Sequence, residues 1–223
     1  MKKLSILFLF LSVITIPLIS NAYLNEDLKQ HDPYTLKASK HLIHGYTAMN
    51  QDGTINVLVE IPAGSNDKWE VDKKEGSLKW EFKEGKPRVV KYLPYPANYG
   101  MIPQTLLSKE SGGDGDPLDV IVLGEAIKRG TLAKVKIIGV LNLVDRGEQD
   151  DKIIAVAEKS MFGAVTSIQN LKEKFPGVTL LLQTWFTSYK GPGKLTSSGY
   201  LEKQKAEKIL NAAMKGYQKL QKK

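Results

Sequence analysis

The chain has 223 residues, 42% of them hydrophobic and 25% charged, a balance typical of one folded domain and unlike that of a disordered chain. It contains no cysteine, which excludes disulfide frameworks, thiol nucleophiles, cysteine-based zinc sites and iron–sulfur clusters. The net charge of +8 is concentrated in a lysine-rich C-terminal segment, so we interpret it as solvated surface charge and predict no nucleic-acid partner.

The N-terminus has the pattern of an export signal. Two lysines precede an apolar run over residues 4–19, and small residues follow it up to Ala22. The run is shorter than the roughly 20 apolar residues of a membrane-spanning helix, and Pro17 interrupts it. We therefore predict a signal peptide over residues 1–22 and export to the periplasm or the medium. One mature domain, residues 23–223, would remain without a stable membrane anchor.

The segment after the predicted cleavage site carries no recognisable motif. Residues 23–55 are polar and weakly periodic, and we assign them no function. They contain the three histidines of the chain, of which His41 and His44 could pair as ligands on a helix face. Scattered histidines in a polar segment are usually solvated, so we expect no metal site there.

The next hundred residues have the pattern of a β-structure. Short β-branched runs separated by glycine and proline predict strands at 55–61, 68–71, 78–82, 89–92, 120–123, 133–141 and 152–156. Strands spaced this closely favour a sheet that closes on itself into a barrel.

Helices are predicted only near the C-terminus. One spans 167–175, and the next begins near Pro176 with Leu181, Trp185 and Tyr189 on one face. The last runs from about Leu201 and has an apolar stripe formed by Ala206, Ile209, Leu210, Ala213, Tyr217 and Leu220. The prediction is therefore an α+β fold, mainly β, in which two or three helices pack outside a barrel.

An acidic cluster lies between two predicted strands. Asp114, Asp116 and Asp119 occur within six residues, separated by glycine, proline and leucine. In an extended segment Asp114 and Asp116 project to the same side. Asp119 begins the intensely apolar strand 120–123, which places it at the rim of the barrel.

A second acidic cluster lies in a predicted hairpin with Gly147 in its turn. Folding back brings Asp145 near Asp150, and Lys152 faces the same side as Asp150. Aspartate is common in ordinary turns, and either cluster alone could be one. Two clusters beside apolar strands of one barrel favour a functional site.

Five converging carboxylates require compensating cations. Two like charges 4 Å apart cost about 4 kcal/mol at an effective dielectric of 20. Because the donors are all oxygen, Mg²⁺ or Mn²⁺ is favoured over zinc, although calcium also fits this chemistry.

Side chains suited to a polyanion surround the acids in the sequence. They are Lys68, Arg88, Lys152, Lys190, Lys194, Tyr95, Tyr99 and Tyr189. A Tyr-Pro-Ala-Asn-Tyr-Gly segment predicts one rigid turn that holds Tyr95 and Tyr99, and a basic loop over 190–194 could close over phosphates. Together with the acids they give a site that holds metals on one side and anions on the other, which is the arrangement that phosphoryl transfer needs.

The segment Asp-Gly-Asp-Pro-Leu-Asp-Val at 114–120 resembles the signature of the family I soluble inorganic pyrophosphatases. The resemblance extends from about Asn56 to the C-terminus. It includes Glu60 in Val-Glu-Ile-Pro, the segment Lys-Trp-Glu at 68–70, and the spacing of the second acidic cluster.

This resemblance implies a closed five-stranded barrel of OB-like topology, with peripheral strands, that hydrolyses pyrophosphate with Mg²⁺ or another divalent ion. It implies the following roles: metal binding by Asp114, Asp119, Asp145 and Asp150; general base, Asp116; phosphate binding by Lys68, Arg88, Tyr99, Tyr189 and Lys190; support of the site by Glu60, Glu70, Tyr95 and Lys152. It also implies a homo-oligomer, with dimer and hexamer both open. The signal peptide departs from the family, which is mainly cytoplasmic.

Two other functions fit parts of the sequence. A basic barrel could bind nucleic acid or a polyphosphorylated ligand without catalysis, but such a module has no need of five acids. A related phosphohydrolase could act on nucleotides or polyphosphate, but no stacking pocket for a base is apparent. Hydrolysis of pyrophosphate is the leading hypothesis.

Overall fold

The computed structural model describes residues 22–23, 27–107 and 115–222. The predicted signal segment up to Asn21 and the predicted ligand Asp114 lie outside the described residues. The strands are β1 Ala22–Tyr23, β2 Lys29–Asp32, β3 Thr35–Lys37, β4 Ile55–Ile61, β5 Trp69–Val71, β6 Leu78–Trp80, β7 Phe82–Lys83, β8 Lys86–Pro87, β9 Asn98–Met101, β10 Asp119–Leu123, β11 Leu132–Asp145, β12 Glu148–Gln149, β13 Lys152–Ala157 and β14 Leu195–Glu202. The helices are α1 Ile168–Lys174, α2 Val178–Ser188 and α3 Lys203–Leu220.

Five strands form the closed barrel that the sequence predicts. They pair in the order β4, β9, β10, β13 and β11, and a further pairing of β11 with β4 closes the ring. The β10–β13 pair is parallel, while the other four pairs are antiparallel. All seven residues of β4 are buried, because one of its faces lines the barrel interior and the other is covered.

The 14-residue strand β11 pairs with several other strands along its length. It pairs with β4 near its start, with β13 along its middle and with β14 toward its end. Its register shifts beside Gly139, where a Cβ atom would lie 2.3 Å from a side-chain carbon of Ile168. Only glycine permits this approach, which seats α1 against the barrel.

The helices cover the barrel from outside. The Ser167 side chain caps α1 by accepting a hydrogen bond from the amide of Asn170. Helix α3 packs on β11 through its buried residues Ala206, Leu210, Ala213 and Tyr217. The interpretation of the apolar stripe as core packing was wrong at Leu220, which is about half exposed. No helix in the described ranges has both the length and the apolarity to cross a membrane.

The structure corrects three predictions of secondary structure. No strand forms at 89–92, because the Asn66 side chain donates to the carbonyls of Val90 and Tyr92 that a neighbouring strand would otherwise use. The predicted tyrosine turn continues into a true strand, β9. There Gly100 allows close contact, since a Cβ would lie 1.9 Å from the Leu58 carbonyl oxygen. Leu201 lies within β14, and α3 begins only at Lys203.

The N-terminal region extends a small peripheral sheet of order β2-β3-β6-β5. The rings of His41 and His44 stack 4.1 Å apart on a turn, not on a helix. His44 also hydrogen-bonds the Tyr217 hydroxyl of α3 at 2.8 Å. These histidines therefore pack the N-terminal region against α3.

Candidate active site

The centre of the site is a buried lysine between two carboxylates. Because β10 and β13 run parallel with Val120 beside Ile153, Asp119 and Lys152 enter the site side by side. The Nζ atom of Lys152 lies 2.5 Å from Oδ2 of Asp119 and 2.5 Å from Oδ1 of Asp150. The lysine is 4% exposed. This confirms the predicted grouping of Asp150 with Lys152 and adds Asp119 to it.

The charges in this cluster shift one another's protonation. Burial would lower the pKa of Lys152, but the carboxylates of Asp119 and Asp150 raise it well above its ordinary value. Burial would raise the pKa of Asp119, but Lys152 and a hydrogen bond from the Tyr99 hydroxyl lower it. Burial raises the pKa of Asp150, and the nearby Asp119 charge adds to this effect. The lysine is therefore charged and compensates both acids.

The second acidic cluster forms the predicted hairpin. Asp145 pairs with Glu148 across a two-residue turn in which Arg146 and Gly147 both have positive φ angles. Oδ2 of Asp145 lies 2.7 Å from Nζ of Lys190, while its Oδ1 is buried with no hydrogen-bond partner among the described residues. Lys190 also lowers the pKa of Asp150 electrostatically, which places both acids of the hairpin near one cation.

An inner cavity of about 370 Å³ opens beside Asp119. Its polar lining is formed by Glu60, Lys68, Glu70, Asp72, Lys73, Tyr99, Asp116 and Asp119. Burial raises the pKa of Glu60 to about 8, and its Oε1 accepts a hydrogen bond from the amide of Val71 at 2.9 Å. Burial opposes the charge of Lys68, but Glu60, Glu70 and Asp119 hold its pKa above the ordinary value. The cavity therefore keeps a cation close to a buried acid.

Asp116 lines this cavity and forms an ion pair with Lys73. Lys73 was not among the predicted site residues. Lys73 follows β5, in the same segment as Lys68 and Glu70. The several lysines of this segment were the sequence signal that could have indicated it. Glu81 was missed as well, although it binds Arg88.

An outer cavity of about 890 Å³ contains the remaining predicted cations. Arg88, Asp145, Tyr189, Lys190 and Lys194 line it together. Arg88 donates to both carboxylate oxygens of Glu81 at 2.7 Å, so in this structure its guanidinium is held by protein. Tyr189 acts electrostatically on Arg88 of this cavity and on Lys68 of the inner cavity.

The predicted tyrosines have different positions. Tyr99 is buried and donates to Asp119, and burial raises its pKa well above the ordinary value, so it stays a protonated donor. Tyr95 is 2% exposed, and its ring centroid lies 4.5 Å from that of Trp185. Tyr95 therefore packs beneath the site rather than lining either cavity.

The donor chemistry fits a hard divalent cation. The available ligands are carboxylate oxygens, and one of them, Oδ1 of Asp145, is buried and not hydrogen-bonded within the described ranges. In the part of the chain that the structure describes, no three acidic or histidine side chains form a preassembled metal group. Lysines instead contact the four predicted site aspartates that the structure describes: Asp116, Asp119, Asp145 and Asp150.

Comparison with known proteins gives consistent matches. A sequence model of the family described as inorganic pyrophosphatase matches residues 57–218. The inorganic pyrophosphatase of Nanoarchaeum equitans is 38% identical over 176 residues, covering 74% of this chain and 98% of that protein. The Drosophila melanogaster enzyme of the same name is 37% identical over 159 residues, and the match covers 64% of this chain and 47% of the longer fly protein.

Solved structures agree with the sequence relatives. A truncated vacuolar soluble pyrophosphatase of Trypanosoma cruzi in complex with PPi superposes with a TM-score of 0.77 at 25% identity, covering 81% of this chain and 79% of that one. The inorganic pyrophosphatase of Helicobacter pylori superposes with a TM-score of 0.66 at 31% identity, covering 78% and 98%.

Proposed function

Because this chain belongs to the inorganic pyrophosphatase family, we infer that it hydrolyses inorganic pyrophosphate to two orthophosphates. One observation in the structure carries the proposal furthest. Asp116 and Asp119 share the inner cavity with Lys68 and Tyr99, so acids and phosphate-binding groups face the same space. A reaction between water and a phosphoanhydride needs both kinds of group within reach of one phosphorus atom.

Asp116 would be the general base. The attacking water forms a new P–O bond as the bridging P–O bond breaks, and the water proton passes to the Asp116 carboxylate. The departing orthophosphate keeps the bridging oxygen and gains negative charge. Lys68, with Tyr99 beside it, would bind that charge in the inner cavity.

The outer cavity would hold the second phosphate. Arg88, Tyr189 and Lys190 line it and would bind phosphate oxygens, while Lys194 lies beside them. Substrate would have to compete with Glu81 for Arg88 and with Asp145 for Lys190. Glu60, Glu70, Lys152 and the packed ring of Tyr95 would support the site.

Mg²⁺ is the proposed cofactor, and Mn²⁺ or another divalent ion could replace it. Asp119, Asp145 and Asp150 would hold it, together with Asp114 from outside the described residues. When bound, Mg²⁺ would supply a water of lowered pKa and neutralise phosphate charge. Lys152 and Lys190 contact these acids in the structure, so Mg²⁺ would compete with the two lysines for the carboxylate oxygens.

The direct test is phosphate release from pyrophosphate by the mature protein across a series of divalent metals. We expect release with Mg²⁺, and the series shows which other divalent ions can replace it. ATP and inorganic polyphosphate serve as competing substrates, because a nucleotide or polyphosphate hydrolase would prefer them. Salt-dependent DNA binding without phosphate release would favour a non-catalytic module instead.

We also propose that the protein is exported and forms a homo-oligomer. The basic, apolar and small-residue pattern of residues 1–22 supports export, and fractionation of the producing cell with N-terminal sequencing tests it. Three exposed apolar side chains support self-association: Tyr92, Leu93 and Leu181 are 40%, 68% and 55% exposed. Light scattering of the purified protein would distinguish monomer, dimer and hexamer.

A further inference from the structure

Arg129 lies immediately before β11 and contacts the segment that carries Lys68 from behind. Its guanidinium carbon is 4.6 Å from the ring centroid of Trp69, and its Nη2 atom is 3.7 Å from Oδ2 of Asp67. Nη2 also donates to the Ser65 hydroxyl at 3.3 Å. One side chain therefore contacts both sequence neighbours of Lys68.

The backbone hydrogen bonds around Lys68 explain why these contacts affect it. The amide of Lys68 donates to the Arg88 carbonyl, its carbonyl accepts from the amide of Glu81, and the amide of Trp69 donates to the Asp67 carbonyl at 3.1 Å. Asp67 and Trp69 are thus tied to each other across Lys68, so contacts that hold these two residues also hold the backbone of Lys68. Lys68 lines the inner cavity, whereas Trp69 and Arg129 line a separate cavity of about 590 Å³. Arg129 thus contacts the segment that carries Lys68 from the side away from the inner cavity.

The same arginine also holds the neighbouring strand. Its Nε atom donates to the backbone carbonyl of Glu60 at 2.9 Å. The carboxylate of Glu60 lines the inner cavity and acts electrostatically on Lys68. Arg129 therefore contacts the backbone of Glu60 and the side chains on both sides of Lys68 without lining the inner cavity.

Trp69 restricts the position of the Arg129 guanidinium. Its indole lies between the Arg129 guanidinium and the ring of Trp80, whose centroid is 5.6 Å away in a stacked arrangement. The indole is 4% exposed. A planar guanidinium can stack on an aromatic face and donate in its own plane at the same time, and a lysine ammonium cannot do both.

We propose that Arg129 is a positioning residue that holds Lys68, through Trp69 and Asp67, in place for binding a substrate phosphate. The proposal rests on the proposed function, in which Lys68 binds that phosphate. Loss of Arg129 should displace a binding group and leave Asp116 untouched, so the Michaelis constant should change more than the turnover number.

The experiment compares pyrophosphate hydrolysis by the wild type, Arg129→Met, Lys68→Met and the double variant. Methionine keeps the length and apolar volume of the arginine stem. We expect Arg129→Met to raise KM on the order of tenfold and to lower kcat by less than about threefold. The matched control is Lys136→Met, which removes a β11 cation paired with Glu158 at 3.0 Å, away from both cavities. It should leave both constants unchanged.

Non-additivity decides whether Arg129 acts through Lys68. If it does, the double variant has the kcat/KM of Lys68→Met alone to within about twofold. The proposal is overturned if the losses of kcat/KM in the two single variants multiply in the double variant, or if Arg129→Met has the KM of the wild type. Should Arg129→Met fail to fold by circular dichroism, Arg129→Lys answers the same question, with an expected rise in KM of about threefold. An inactive wild type contradicts the proposed function itself, which separates the two failures.

Discussion

Lys152 and Asp119 lie side by side on neighbouring parallel strands, with Nζ and Oδ2 only 2.5 Å apart in a setting where the lysine is almost fully buried. The same ammonium contacts Asp150 at 2.5 Å. A cation of the chain thus stands among the acids proposed to bind metal. Its presence links the stability of the fold to the chemistry of the site.

Lys152→Met should destabilise the protein by about 3–5 kcal/mol, because removal of one partner leaves a buried charge without compensation. The measurement is urea unfolding of the metal-free protein. Lys136→Met is the control, since its ion pair is on the surface and should contribute less than about 1 kcal/mol. Equal effects of the two substitutions would show that Lys152 does not compensate these acids.

Removal of divalent metal should abolish activity without unfolding the protein. Lys152 and Lys190 already pair with Asp119, Asp150 and Asp145, so the acids remain compensated when a chelator is added. Circular dichroism and a thermal melt with and without EDTA check this. A global loss of structure on chelation would mean that the metal, and not the lysines, holds the acids together.

Lys73→Met should strengthen the binding of Mg²⁺. Lys73 pairs with Asp116, and a cation on this carboxylate competes with a second cation entering the cavity. Both side chains are about half exposed, and exposed pairs contribute up to about 1 kcal/mol, so the affinity should rise by about two- to fivefold. Calorimetric titration with Mg²⁺ measures the affinity directly, and unchanged or weaker binding would contradict the competition.

The stability of the metal-free protein should fall as pH rises from the pKa of Glu60 in the unfolded chain toward its pKa in the folded protein. Burial raises this pKa from 4.5 to about 8, so the folded state favours the uncharged acid. The unfolded chain releases the proton above about pH 4.5, and stability is therefore lost progressively between about pH 5 and pH 8. Glu60→Gln cannot ionise and still accepts the hydrogen bond from Val71.

The free energy of unfolding of Glu60→Gln, relative to that of the wild type, should therefore increase by roughly a few kcal/mol between pH 5 and pH 9. Urea unfolding with chelator at both pH values measures the difference between the two proteins. Other titrating groups are common to both, so they cancel. A difference that does not change with pH would place the Glu60 pKa near its ordinary value.

The sequence predicted the barrel because its strands have unambiguous patterns. The β4 segment 55–61 and the apolar strand after Asp119 are β-branched runs bounded by glycine or proline, and both formed where expected. The segment 89–92 is similarly rich in valine, but it forms only an isolated bridge between Val89 and Asp67, and the Asn66 side chain hydrogen-bonds the carbonyls of Val90 and Tyr92. Such a tertiary contact between distant residues leaves no periodic signal in the chain.

The site was predicted unevenly for the same reason. Asp119, Asp150 and Lys152 could be named as candidates because each lies at or just before the start of a strong strand. Arg129 was missed because it follows Lys128 in a short basic loop, and nothing in that pattern distinguishes a solvated arginine from one stacked on Trp69. Its role depends on two strands meeting, which only the fold reveals.

The most direct test of the central claim is the rate of phosphate release from pyrophosphate, in saturating Mg²⁺, by the wild type and Asp116→Asn. Asparagine matches the shape of aspartate but cannot take the water proton, so kcat should fall by about 10²–10⁴-fold. Asp32→Asn, on the exposed strand β2, should keep wild-type turnover. Wild-type turnover in folded Asp116→Asn would contradict the assignment of the base, and absence of phosphate release by the wild type would contradict the function.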